Sequence, residues 1–474
     1  MKTKNLLFYI VLLVTAALLM SPASTFAQTI AAGYAHSLSV CNNNSAMAWG
    51  YNYEGELGIG NNISNYNYPV TVSSLSGAIS IAGGYEHSIA LKNDSTVWAW
   101  GGNVNGQLGN GNNINSNIPV QVSSLAGITA IAGGGYHSLA LQNDSTVWTW
   151  GNNSSGQLGN GTTGGSNNVP IQVTGLTGVI AIAGGGAHSL ALKNDGTVWA
   201  WGFNSYGALG NGTNTDSNIP IQVSSLTGIT VIAGGGVSSH SIALKNDGTV
   251  WAWGYNGSGE LGNGTLNDSN VPVQISSLTG ITAIAGGGAH SLVLKSDGTV
   301  WACGENSNGA LGNGTNTSSL IPVQVSSLTS ITAIAGGFHH SLALKNDGTT
   351  WAWGYNLFGQ LGDSNYIDSN IPVQITGLCS VATEVNEITE PKLSVSIFPN
   401  PSNGEFTIDL KRMLNPSSDG QRVISIYNML GEKVYSTIIN QQSSIINLNM
   451  PSGIYFLNLK TENNSISQKL IIQK

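Results

Sequence analysis

The sequence predicts an all-β chain: a seven-bladed β-propeller over residues 28–380, then a small immunoglobulin-like β-sandwich. Three observations carry this. A unit of about fifty residues recurs seven times, marked by a His-Ser pair at His36, His87, His137, His188, His240, His290 and His340. A period in that range means stacked or ring-closed supersecondary units. Each unit holds four short apolar runs, which is the strand content of a propeller blade. Past Cys379 the repeat stops, and alternating runs split by turns suit a sandwich.

The unit spanning 281–325 shows how a blade is written. Residues 281–285 form a first strand anchored by Ile281 and Ile284. Gly286-Gly287-Gly288 is expected to break it through positive φ, which glycine tolerates best. Residues 291–294 form the second strand, with Leu292 and Leu294 on one face and Ser291 and Val293 on the other. Asp297-Gly298 reads as a type I′ hairpin turn. Residues 299–302 form the third strand. A long polar loop with Gly309-Ala310-Leu311-Gly312 follows. Pro322 then opens the fourth strand, where no ladder donor is lost. Paired tryptophans such as Trp199 and Trp201 share a face and are placed to fill the wedge between blades, with Met47 in the first unit's equivalent slot. Residues 29–33 copy the end of a first strand at the start of the mature chain. They are expected to complete the last blade and lock the ring, which removes exposed edges.

Only 8% of the 474 residues are charged, while 63 are glycine and 41% are apolar, which fits many short strands and not disorder. Between residues 28 and 390 stand 5 basic side chains, all lysine, and 18 acidic ones. Phosphate tracking needs clustered Lys and Arg, so nucleic acid and anionic membrane surfaces are poor partners. Residues 1–27 read as a cleavable export signal: Lys2 and Lys4, an apolar run over 6–20 too short to span a bilayer, and Thr25-Phe26-Ala27 before the cut. No membrane span is expected in the mature chain. Export permits disulfides. Cys303 stands where other units have their second Trp, and is expected to be buried and inert. Cys41 and Cys379 belong to the first and last units, neighbours in a closed ring. They are either bonded across that seam or left as two free thiols.

Residues 183–210 carry Ala183-Gly184-Gly185, His188-Ser189-Leu190-Ala191-Leu192, Asp195-Gly196-Thr197-Val198-Trp199-Ala200-Trp201-Gly202 and Gly207-Ala208-Leu209-Gly210. This pattern, repeated from 28 to about 378, resembles the regulator of chromosome condensation repeat family. The resemblance implies a seven-bladed propeller. Family members include a nuclear exchange factor, a plant light receptor and secreted β-lactamase inhibitors. Exchange-factor activity does not carry over to an exported, acidic propeller without Arg. After a linker at 381–391, residues 392–474 carry Ser394-Val395-Ser396-Ile397-Phe398-Pro399-Asn400-Pro401, Gly404 with Phe406, a block from Ile426 to Val434, Pro451-Ser452-Gly453-Ile454-Tyr455-Phe456 and Lys469-Leu470-Ile471-Ile472. These resemble a type IX secretion C-terminal sorting domain, which implies recognition by an outer-membrane translocon, removal of the domain, and release or attachment at the cell surface.

No reactive group stands out. The seven histidines fall one per blade with no second ligand at fixed spacing, so they read as structural residues bonding nearby backbone, and no metal site or cofactor is expected. The glycine stretches lack the Gly-Lys-Ser/Thr of a phosphate loop. The Asp-Gly turns lack a calcium loop's carboxylates. A His-Ser pair repeated seven times is scaffold, so the chain is expected not to be an enzyme.

The informative positions are those where the copies disagree. In an antiparallel meander the loop before His-Ser and the loop after Trp-Gly emerge on one face. Before His-Ser stand Tyr34, Tyr85 with Glu86, Tyr136, and Phe338 with His339, whereas units four to six have Ala187, Val237-Ser238-Ser239 and Ala289. After Trp-Gly, Tyr51, Tyr53, Tyr355 and Phe358 reinforce the same arc, while Phe203, Tyr206 and Tyr255 lie elsewhere. Aromatics amid Asn and Ser suit sugar stacking or a protein hot spot, or they seal blade ends by packing. The expectation is a monomeric, exported binding module for a protein or glycan. A secreted inhibitor of an extracellular enzyme and a structural surface-layer role are the alternatives.

Overall fold

Seven four-stranded antiparallel sheets follow one another in chain order, each in meander order from inner to outer strand. They belong to a computed structural model that describes residues 28–62, 64–236, 239–276, 278–379, 394–411, 423–439, 443–460 and 465–474. The expected signal peptide, the 381–391 linker, residues 392–393 and the pair Val237-Ser238 lie outside the described residues. The chain divides between residues 380 and 381 into two compact units.

The fourth blade shows the pattern: Val179–Gly184, His188–Lys193, Val198–Gly202 and Ser217–Gln222. Ala183 pairs with Leu190, Leu190 with Ala200, and Ala200 with Ile221. The ladder slips between Ala200 and Gly202, and Gly202 sits at φ +106°, where a Cβ would meet the Ala187 carbonyl oxygen at 2.6 Å. This is why every such strand has Gly at this place, after Cys303 in the sixth blade and after Trp in the other six: the left-handed bulge leaves no room for a side chain.

Two local expectations are corrected. In the Asp-Gly turn only the glycine has positive φ (Gly298, +79°), and Gly298 N–H donates to Lys295 O at 2.9 Å while Lys295 N–H donates to Thr299 O at 2.9 Å. That is a three-residue loop, a type I turn with a following left-handed glycine, and not a type I′ turn. The Asp side chain holds it, since Asp297 Oδ1 accepts from Thr299 N at 3.0 Å and Thr299 Oγ1 at 2.6 Å. The Gly286-Gly287-Gly288 run has no positive φ. Its glycines are there for room: a Cβ on Gly286 would sit 2.5 Å from the Gly234 carbonyl oxygen of the preceding blade, and one on Gly287 would strike the His290 ring.

The core lies between blades. Leu190 and Leu192 pack forward against Ala243 and Trp253, while Ala191 packs backward with Leu139 and Trp201. Seven such wedge cores separate the blades among the described residues, and the last joins Trp49 to Leu342, Ala352, Leu361 and Ile375. The ring is therefore closed. The second Trp of each pair is fully buried, and Trp150 Nε1 donates to Gln107 O of the preceding blade at 2.8 Å.

The N-terminal strand does not complete the last blade. Thr29–Ala32 pairs with His36–Val40 as the inner strand of the first blade, and Ile331–Gly336 already fills that place in the seventh. The chain is cut at the unit boundary, so each sheet comes from one continuous stretch. Closure relies on packing and on the seam itself. A disulfide joins Cys41 to Cys379, 338 residues apart. Cys379 N–H points at Met47 Sδ (3.3 Å), and Gln28 Nε2 donates to Thr350 Oγ1 at 3.1 Å. Cys303 is buried, and burial pushes its thiol up to about 12.

The C-terminal unit has two antiparallel sheets. One holds Ser394–Phe398, Glu405–Lys411 and Ser443–Asn447; the other holds Lys433–Ile438, Val423–Tyr427, Gly453–Lys460 and Ser465–Ile472. Phe406, Ile408, Ile424, Leu457 and Leu470 are in the core they share.

Candidate binding face

The repeated His-Ser pair is a joint between blades. His137 Nε2 lies 2.9 Å from Ser189 Oγ of the next blade, and Ser189 Oγ donates to Gln157 O at 2.9 Å. Trp201 Nε1 donates to that same carbonyl at 2.9 Å. The serine has one proton and gives it to the carbonyl, so the histidine donates from Nε2 and its buried Nδ1 is left without a partner. The chain of pairs runs through all seven blades and closes with His340 to Ser37, 2.9 Å apart. The histidines thus bond a side chain of the adjoining blade, not nearby backbone as the spacing suggested. Burial lowers their pKa values to about 3 or 4.

With His, Ser, Trp and the Gly-x-Leu-Gly carbonyl engaged in the scaffold, the loops are left to vary. Backbone bonds tie the two loops of a blade together on one face: Tyr51 N–H to Ala35 O at 2.9 Å, Asn152 N–H to Tyr136 O at 2.8 Å, Tyr355 N–H to His339 O at 2.8 Å. Aromatics from the two loops therefore meet. Tyr34 stacks on Phe338 with centroids 4.2 Å apart, and meets Tyr85 edge-on at 5.7 Å. Tyr85 meets Tyr136 at 5.2 Å. Tyr51 touches Tyr53 at 5.1 Å and Phe358 at 5.0 Å. His339 lies between Phe338 and Tyr355, and its Nδ1 is 3.2 Å from Glu305 Oε2. Phe203, Tyr206 and Tyr255 form a separate group.

Tyr34, Tyr51, Tyr85, Glu86, Tyr136 and Phe358 line one pocket of about 340 Å³ with Ala35. Phe338, His339, Tyr53 and Tyr355 stand around it without lining it. Only Tyr34 (40%) and Tyr53 (53%) are largely exposed; the other rings are half-buried against one another.

Next to this pocket is the axial channel, about 170 Å³, walled by the glycine pairs of the inner strands. Tyr85 reaches over its mouth: a Cβ on Gly135 would sit 2.8 Å from the Tyr85 ring, and one on Gly186 would sit 2.7 Å from its hydroxyl. Ala35 and these two glycines are the members sequence reasoning missed. The signal for the two glycines is the third glycine of the run; nothing in the pattern singles out Ala35. A Cβ on Gly186 would also sit 2.5 Å from the Gly236 carbonyl oxygen of the next blade, so Gly186→Ala is expected to displace both Tyr85 and that backbone, costing at least about 1–3 kcal/mol by overpacking. Thermal unfolding together with tyrosine ring shifts in NMR checks it.

Carboxylates gather here as well. Burial raises Glu56 to about 8, against backbone hydrogen bonds, and its Oε1 is buried without a partner. Burial and then Glu54 raise Glu86. The five lysines sit at the turns of the opposite face. Each is 3.3–3.8 Å from the Asp two residues on, and four also lie over a Trp ring. Among the described residues no group of three His, Cys, Asp or Glu side chains could hold a metal.

Fold and face define a closed seven-bladed propeller whose one loop face is aromatic and acidic. The chain belongs to the RCC1-like domain family, whose model matches residues 127–394; models of the regulator of chromosome condensation (RCC1) repeat match 46–91, 94–141, 27–56 and 78–107. Residues 396–473 match the secretion system C-terminal sorting domain, which marks the chain for type IX export. The chain is 35% identical over 184 residues to the human probable E3 ubiquitin-protein ligase HERC6, covering 38% of this chain and 13% of that protein. It is 33% identical over 192 residues to the ultraviolet-B receptor UVR8 of Arabidopsis thaliana, covering 40% and 43%. The chain thus spans less than half the length of these relatives. In fold it is similar to human WBSCR16 (TM-score 0.64, 24% identity, covering 70% of this chain and 94% of that one). It is also similar to Prp20p of Saccharomyces cerevisiae (TM-score 0.63, 23% identity, covering 73% and 87%).

Proposed function

We propose that the chain is a non-catalytic recognition module that binds a protein or glycan through the aromatic arc of its loop face. The observation that carries this is the convergence of rings from blades one, two, three and seven on one pocket, while the repeated polar groups are spent on holding blades together. Prp20p, whose solved structure is described with binding to Gsp1p and histones, supports a protein ligand for this fold. Residues 1–27 act as the signal peptide. Residues 392–474 meet the secretion translocon and are separated from the 28–380 propeller by the 381–391 linker. The mature protein is a monomer, secreted or held at the cell surface. The test is a glycan array and a surface-proteome pull-down with the purified mature chain. A specific ligand should be retained by the wild type and lost when Tyr34, Tyr85, Tyr136 and Phe338 are changed to Ala with the circular dichroism spectrum unchanged. Undiminished capture by that variant overturns the reading.

A further inference from the structure

The pocket's walls say which chemical group it suits. Tyr34 and Tyr85 meet at 70°, Tyr85 and Tyr136 at 85°, and Tyr51 and Phe358 at 77°. Such walls form a box and not a flat platform. A sugar ring or a planar guanidinium stacks on a platform, whereas a tetrahedral cation is served by ring faces set at right angles around it. One wall is a carboxylate: Glu86, with the Tyr136 hydroxyl 3.5 Å from its Oε1. No basic side chain among the described residues pairs with Glu86. The five propeller lysines are held by their own aspartates at the opposite face, and His339 is beside Glu305. The surrounding charge has the same sign, since the region 28–390 holds 18 acidic and 5 basic residues.

We propose that this pocket is a cage for an alkylammonium group, the end of a lysine side chain presented by a protein partner. The proposal rests on the reading that the arc is the binding face, and adds the charge and shape of what enters it. A desolvated cation against several ring faces and one carboxylate gains from each. A neutral group of the same shape gains only the burial.

The experiment is calorimetric titration of the purified mature chain with three probes: Nα-acetyl-lysine methylamide, choline, and 3,3-dimethylbutanol as choline's neutral isostere. The lysine probe should bind, and both cations should bind about tenfold or more tighter than the isostere. Tyr85→Ala should weaken the cations about tenfold. Glu86→Gln should weaken them severalfold while leaving the isostere unchanged, with thermal unfolding of Glu86→Gln as in the wild type. Choline binding tighter than the lysine probe would overturn the assignment to a protein lysine. Equal binding of the isostere, or no binding of any cation, would overturn the cage itself. Either result would leave the arc reading to its own test, which depends on loss of the macromolecular ligand and not on charge.

Discussion

Acidification from pH 7 to pH 4 is expected to unfold the propeller in one cooperative step. The seven inter-blade histidines have folded pKa values of about 3 or 4, below the ordinary 6.5, because burial disfavours their charged form. In that window the unfolded chain binds more protons than the folded one, so stability falls as pH falls. It is full above about pH 6.5, and by pH 5 each histidine has withdrawn roughly 2 kcal/mol. Glu56 and Glu260 act the other way. Their folded values, about 8 and about 7, lie above the ordinary 4.5, so they favour the folded state as pH falls. Seven sites outweigh two, and the net loss is of the order of a whole domain's stability, roughly 5–15 kcal/mol. Tryptophan fluorescence across a pH series reads it directly. The expected midpoint lies between pH 6 and 4, and a spectrum unchanged down to pH 3.5 would contradict the ring of neutral histidines.

Reduction of the seam disulfide is expected to have the second-largest effect. The bond closes a loop of 338 residues, so it constrains the unfolded chain over nearly the whole propeller. In the chain-entropy account a loop of that length is worth roughly 6 kcal/mol. No strand crosses the seam, because the first and seventh blades each supply all four of their own strands. The covalent link therefore supplements packing around Trp49 and a few hydrogen bonds, Ser37 to Gln360 O among them. A Cys41→Ser, Cys379→Ser variant should unfold at a markedly lower denaturant midpoint and open first at the seam. Hydrogen exchange should show the strands His36–Val40 and His340–Lys345 losing protection before those of the fourth blade. Uniform loss in all blades would indicate that the seam is no weaker than other interfaces.

Much of the fold was legible because the chain repeats itself. Seven copies of one pattern define the strands, and alternation along 291–294 placed Leu292 and Leu294 on the face that packs against Trp353. The misreadings share one cause. Ser189 answers His137 from 52 residues away, and the glycine run makes room for the neighbouring blade's backbone. Such contacts join equivalent positions of successive copies, so they leave no periodic trace inside one copy. The apolar pattern of residues 29–33 is the same in every unit, so it does not tell the opening strand of the first blade from a closing strand of the last; the structure shows the former. On the loop face the reverse holds. Tyr34, Tyr85, Tyr136 and Phe338 stand out where the copies differ, and the structure sets their rings side by side. Glu56, by contrast, hides in Gly-x-Leu-Gly, where the other copies carry Gln, Ala or Glu.

The central claim is that one arc of one face meets the ligand. Its most direct measurement compares two variants of the mature chain against the ligand that the array or pull-down identifies. In one, Tyr34, Tyr85, Tyr136 and Phe338 become Ala; in the other, Phe203, Tyr206 and Tyr255 do. The account predicts that affinity falls at least about a hundredfold in the first, as expected for several hot-spot aromatics, and stays within about twofold in the second. Equal losses in both, or a loss confined to the second, would contradict it.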